Sequence, residues 1–231
     1  MRAVGATVVA LALAVAAPLS AQTMAEEQSP TGPTRRQATG AQDPFLSVTA
    51  FALAAEQQFA ATTTFNAIFG STSAPFFGGG ARVALRSGPY VELAASRFRK
   101  TGERAFLFNN QASRLGIPLT ATIVPVEVTG GYRLHLRRYP RVVPFGGVGV
   151  GWYHYTEVSE FSDPTENVDT RHNGYLVVGG VELKALRWIA FSIDTQYTHV
   201  PDILGNGGIS EDASEHDLGG TAIRFKVVVG R

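Results

Sequence analysis

Cysteine is absent from the 231-residue chain, which excludes a disulfide framework, a thiolate zinc site, a cysteine nucleophile and a lipid-modified N-terminal cysteine. Charge is sparse as well: Asp, Glu, Lys and Arg make up 17% of residues, below the share of about a quarter usual in soluble domains. Neither sign prevails. With 20 Lys+Arg against 19 Asp+Glu, the chain has no electrostatic footprint for nucleic acid. Beyond the N-terminus no apolar run approaches the ~20 residues of a membrane-spanning helix. The length suits one domain or a single larger β structure and leaves too little chain for two full-sized domains.

What is present begins with an address. Arg2 precedes an Ala/Val/Leu run from Val8 to Ala17, and Pro18-Leu19-Ser20-Ala21 supplies small residues just before Gln22. A positive start, a short apolar core and a small-residue exit form the pattern of a secretory signal, and the apolar core is too short to serve as an anchor. Residues 1–21 are therefore expected to be a cleaved signal peptide on a protein of the cell envelope. Its removal takes Arg2 and leaves 19 basic against 19 acidic side chains. Residues 22–43 are polar, carry Pro and Gly and lack periodicity, so they are expected to form a disordered linker. The folded part spans 44–231.

From Phe45 onward the hydrophobic period is two. Ile223, Phe225, Val227 and Val229 alternate with Ala222, Arg224, Lys226 and Val228; Ile189, Phe191, Ile193, Thr195 and Tyr197 alternate with Ala190, Ser192, Asp194 and Gln196. Tyr175, Val177, Gly179, Val181 and Leu183 share a face opposite Glu182 and Lys184, and Val124, Val126, Val128, Tyr132 and Leu134 share one opposite Glu127, Arg133 and His135. Residues 45–56, 77–86 and 89–99 add strands marked by Val48, Val83, Val91 and Leu93, with Arg82 and Glu92 opposed. The glycine-rich stretch 142–156 places Val148, Val150 and Trp152 on one face and Gly147, Gly149 and Gly151 on the other. These are two-faced strands, eight in all.

Short turns at Ser87-Gly88, Arg137–Arg141 and Leu186-Arg187 alternate with long polar connections at about 57–76, 100–118, 157–172 and 200–216. The fold predicted is all-β: an eight-stranded antiparallel up-and-down transmembrane β-barrel, with short turns at one end and long loops at the other. Asn109, Asp163 and Asn206 are expected in exposed long loops, and Arg138 in a short turn. Alternation alone does not say which face points inward. A lipid-facing apolar side is favoured because the polar faces are close to self-neutralising mid-strand: Arg82, Arg133, Lys184, Arg224 and Lys226 against Glu92, Glu127, Glu182 and Asp194. Aromatics also gather toward strand ends, with Tyr153, Tyr155, Tyr175 and Tyr197 near the long loops and Tyr90, Tyr132 and Trp188 near the short turns. Such girdles suit the two bilayer interfaces. The strands mostly exceed the ~9–11 residues of a tilted crossing.

Over residues 44–231 this architecture resembles the small eight-stranded outer-membrane proteins, of the OmpA transmembrane-domain type or the OmpW-like group. The segment LGGTAIRFKVVVGR stands where their last strand stands, ending on Val229-Gly230-Arg231 where members generally end on an aromatic residue. FNAIFG at Phe65–Gly70 and Thr101–Arg104 also look like pieces of a family pattern. The resemblance implies the outer membrane of a Gram-negative-type bacterium, outer-membrane lipids and lipopolysaccharide as surroundings, and insertion by the barrel-assembly machinery.

Chemical signals are few. GGVGVG at 146–151 lacks the spacing and the following helix of a nucleotide loop, and reads as glycine making room for large interior side chains. His135, His154, His172, His199 and His216 form no metal spacing. Four of them (His154, His172, His199, His216) approach the long-loop rim with Asp169, Asp202 and Asp217, too loose a set to name a catalytic residue. Ten of the 19 acids fall in the third and fourth long loops, and Arg97, Arg99, Lys100, Arg104 and Arg114 form a basic second one. The expectation is a monomeric, non-enzymatic, structural or surface-interacting barrel with no cofactor and an ion-paired lumen. The alternatives are a narrow passive channel for small or apolar solutes and, behind it, a rim-located enzyme acting on lipid A.

Overall fold

Two-residue alternation becomes eight strands in the computed structural model, which describes residues 45–108, 111–159, 167–205 and 208–230. The expected signal peptide (1–21) and linker (22–43) lie outside the described residues, as do Asn109, Asp163 and Asn206. The strands are β1 (Leu46–Phe59), β2 (Ser73–Leu85), β3 (Pro89–Phe108), β4 (Gln111–Arg133), β5 (Val142–Ser159), β6 (Val168–Lys184), β7 (Ile189–His199) and β8 (Gly220–Gly230). Two helices interrupt them, α1 (Thr62–Phe69) between β1 and β2 and α2 (Gly208–Asp212) between β7 and β8.

Each strand pairs antiparallel with its neighbours in sequence, and β1 closes the ring against β8 from Thr49↔Gly230 to Phe59↔Gly220. Closure pairs each strand on both sides through the body of the barrel, so there backbone donors and acceptors find partners without water.

Alternation sorts the side chains by face. Val91, Val148, Tyr175, Val177, Ile193 and Ile223 point outward, each more than half exposed. Their cross-strand partners continue the apolar surface: Ile193 stands between Val181 and Phe225. On β7 the outward apolar run extends from Ile189 to Tyr197. At about 3.4 Å per residue and a tilt near 40°, it reaches roughly 20 Å, close to the ~25 Å band of membrane barrels. The polar face is turned inward and buried.

Two sequence expectations need correction. Tyr90, Tyr153 and Tyr155 do not join the outer girdles; all three are buried inside the barrel. Parity decides it: Tyr153 and Tyr155 share their face with Gly149 and Gly151, while Trp152 faces outward and is exposed. The glycines make that possible, since a Cβ on Gly151 would lie 2.7 Å from the Tyr153 ring, and one on Gly147 would lie 2.7 Å from the Tyr90 hydroxyl. The long connections are also more ordered than their sequences suggest. Residues 100–118 are mostly an extended hairpin, paired out to Phe108↔Gln111 with one register shift between Glu103 and Ala105. β5 and β6 likewise pair out to Glu157↔Val168. Past the membrane neither face must be apolar, so the strands continue while the period-two signal disappears.

Candidate functional site

The interior is built in two layers, and the lower one, toward the short turns, is ionic. Arg82 on β2 stands opposite Glu92 on β3, and Asp194 on β7 stands opposite Arg224 on β8. Arg82 donates from Nε and Nη2 to Glu92 Oε2 at 2.8 and 2.6 Å, and from Nη1 to Glu182 Oε2 at 2.7 Å across the lumen. Arg133 pairs with the other oxygen of Glu182. Lys226, fully buried, places Nζ 2.6 Å from Glu92 Oε1 and 3.3 Å from Asp194 Oδ2. Arg224 donates from Nε to Asp194 at 2.5 Å, pairs with Gln196, and lies 3.6 Å from Glu127. Glu127 also accepts from Tyr153 Oη at 2.6 Å and Gln196 Nε2 at 2.9 Å. Aromatic rings flank the cations: Tyr90 and Phe145 each lie 5.2 Å from the Arg82 guanidinium, and Phe51 lies 4.9 Å from Lys226 Nζ.

Arg133, Glu182, Arg82, Glu92, Lys226, Asp194, Arg224 and Glu127 thus form one unbroken chain of alternating sign. Four positive and four negative groups cancel, which matters because an unpaired buried ion costs several kcal/mol even after relaxation (order of magnitude). Lys184 stands apart. It shares the inward parity of Glu182, but at the end of β6 it is exposed to water.

The upper layer is apolar, and sequence reasoning missed it. Phe59, Phe65, Phe76, Phe98, Ile123, Tyr153, Tyr155, Val200 and Leu218 form one buried cluster. Phe65 stacks on Phe59 with ring centroids 3.7 Å apart, and Phe98 meets both Phe59 and Phe76. Phe65 comes from α1, whose sequence TTTFNAIF turns Thr64, Phe65, Ala67 and Ile68 inward. An eight-residue helix is marginal alone, and here both ends are held. Its Ala61 N-cap makes no side-chain bond, but Thr63 and Thr64 N–H donate at 2.8 Å to the two carboxylate oxygens of Glu215. At the C-terminus Arg114 Nε donates to the Ala67 carbonyl at 3.0 Å, beside a left-handed Gly70 cap. Anion at the start and cation at the end both complement the helix dipole. Burial pushes the Glu215 carboxyl up, but the two N–H donors outweigh it, and the group titrates below the usual carboxylate range. The available signal was parity: Phe98 shares the inward face of Glu92, and Phe59 that of Phe51.

The basic run of the second long connection is dispersed. Arg97 and Arg99 point outward on β3, Lys100 turns inward with Nζ 5.6 Å from the Phe69 ring, and Arg114 serves α1. The rim histidines are surface groups. His154 pairs with Asp169 and His199 with Asp217, each at 2.8 Å and exposed. Asp217 also accepts the Val200 and Gly219 N–H groups, so it shapes the loop. Among the described residues no three His, Asp or Glu side chains are grouped to hold a metal.

No family model and no curated protein matches the sequence. Similar solved structures include Neisserial surface protein A (NspA), at 11% identity and TM-score 0.49, covering 81% of this chain and 98% of that one. Ail, the attachment invasion locus protein of Yersinia pestis, solved with the heparin analogue sucrose octasulfate, shows 12% identity and TM-score 0.45, covering 80% and 96%. The outer membrane protein OprG from Pseudomonas aeruginosa shows 12% and 0.45, covering 80% and 93%. These are likenesses of fold. With the ring closed and the apolar face outward, the fold is that of a small eight-stranded outer-membrane barrel.

Proposed function

We propose that this chain is an integral outer-membrane protein whose barrel is sealed: a non-enzymatic, monomeric structural element that presents its long-loop end as an interaction surface. The observation that carries the reading is the double closure of the interior. The eight-membered ionic chain crosses the lumen, and the Phe59–Phe65–Phe98 layer lies above it. Eight strands leave an interior only just wide enough for side chains, and here those side chains pair with one another. Lipids, including lipopolysaccharide in the outer leaflet, cover the outward apolar belt. The barrel-assembly machinery is the partner for insertion, and a closed ring offers no edge for a second copy.

Planar-bilayer recording of the refolded protein tests the seal. The wild type should hold the baseline. Arg224→Ala, which removes the cation between Asp194 and Glu127, should admit brief openings. A steady wild-type conductance of pore size would refute the sealed barrel and favour the narrow-channel alternative.

A further inference from the structure

Above the aromatic layer, the described residues at the mouth of the barrel enclose a space. α1, α2 and residues 203–205 occupy one side, and between them and the inner wall of β3–β6 lies a cavity of about 500 Å³. Its walls are mixed, with Ile68, Leu119, Ile203, Leu204 and Ile209 supplying the larger apolar side chains. Polar side chains lie on both sides: Thr64 and Ser210 on the two helices, and on the β-wall Thr170 and Tyr155, whose hydroxyl donates to Glu157, with Arg104 near enough to act electrostatically on that carboxyl. The floor is shut by Tyr155 and the phenylalanine layer, so the space is a pocket and not the entrance of a path.

We infer that this cavity is a binding site for a small, uncharged, mainly apolar molecule carrying one hydrogen-bonding head group, taken up at the mouth and not passed through the barrel. The volume is that of a small-molecule site, which runs from about 300 to 1,000 Å³, and such sites pair apolar walls with a few fixed polar groups. Charge decides the class of ligand. Among the described residues the lining carries one acid, Glu157, and one base, Arg104, that already act on each other, so there neither a cationic nor an anionic head gains a free counter-ion. A charged head buried there without a partner is penalised, whereas a hydroxyl or amide exchanges hydrogen bonds with Tyr155 and Glu157 at no cost in charge.

The test uses the full barrel in lipid nanodiscs with labelled isoleucine methyl groups, titrated with 1-octanol, octanoate and octylammonium. Ile68, Ile203 and Ile209 line the pocket, while Ile193 and Ile223 face lipid and report partition into the bilayer. Octanol should shift the first three saturably, and both charged analogues should bind at least about tenfold more weakly. Ala105→Trp, which fills the cavity from β3, should abolish the saturable shifts. Leu119→Ala, which enlarges it, should move the preference to a longer alcohol. Shifts confined to Ile193 and Ile223, equal binding of the charged analogues, or saturation undisturbed in both variants would each overturn the site. Sealing of the lumen is a separate matter, because a conducting barrel could still bind octanol and a sealed one could fail to.

Discussion

Lys226 is the most demanding member of the ionic chain: a primary ammonium with no exposed surface, 2.6 Å from Glu92 and 3.3 Å from Asp194. Lys226→Met keeps most of the volume and the contact with Phe51 but removes the charge. Glu92 retains Arg82, and Asp194 retains Arg224, so neither acid is orphaned; the interior instead carries one uncompensated negative charge. Breaking a buried ion pair commonly costs 3–5 kcal/mol, and with secondary partners in place the low end applies, about 3 kcal/mol. Adding Glu92→Gln restores neutrality, so the double variant should be more stable than Lys226→Met alone, with a coupling of about 1–3 kcal/mol. Urea unfolding in lipid vesicles, followed by Trp152 and Trp188, whose side chains face outward, reads all four corners of the cycle. If Lys226→Met costs under about 0.5 kcal/mol and the double variant gains nothing, the buried charges are not held by mutual neutrality and the reasoning fails.

Ile193→Arg, mid-strand on the outward face with the side chain 57% exposed, should lose about 2–4 kcal/mol of membrane stability, whereas a water-facing site would tolerate it; heat-modifiable gel mobility after refolding checks this. Glu215 titrates below the usual range because Thr63 and Thr64 hold its charged form. Its contribution is therefore complete above the unfolded carboxyl value and lost as pH falls through the lower folded one. Protection of the Thr63 and Thr64 amides, taken against their intrinsic exchange rates, should fall over that acid window, and that pH dependence of protection should vanish in Glu215→Gln. The effect should not exceed about 1 kcal/mol, because a partly exposed group is screened.

The sequence carried the barrel because lipid on one side and a crowded lumen on the other enforce strict alternation. Parity puts Asp194 and Arg224, and Arg82 and Glu92, on the polar face, the near-balance of its charges turns that face inward, and each pair turns out to be directly opposed. What parity does not give is height along the barrel. Lys184 has the right face but sits at the end of its strand in water, and Tyr153 lies close to a loop in sequence while its neighbours Gly151 and Trp152 fix its direction inward. The mouth was illegible for another reason. α1 is specified by Glu215 and Arg114, residues about 150 and 50 positions away in sequence, and no local pattern records such partners.

That helix also fixes an order of events. Thr62–Phe69 follows the first strand and is among the earliest folded segments to be made, yet the carboxylate that completes its N-terminus lies in the connection to the last strand. Until β8 has arrived to pair with both β7 and β1, Glu215 is not in position, and a helix this short does not persist alone. The bonds that complete the N-terminus of this helix are therefore expected to form only when the ring closes. The bonds from Thr63 and Thr64 to Glu215 thus join the first-made and last-made parts of the chain, whereas the stacking of Phe65 on Phe59 lies within the first-made part.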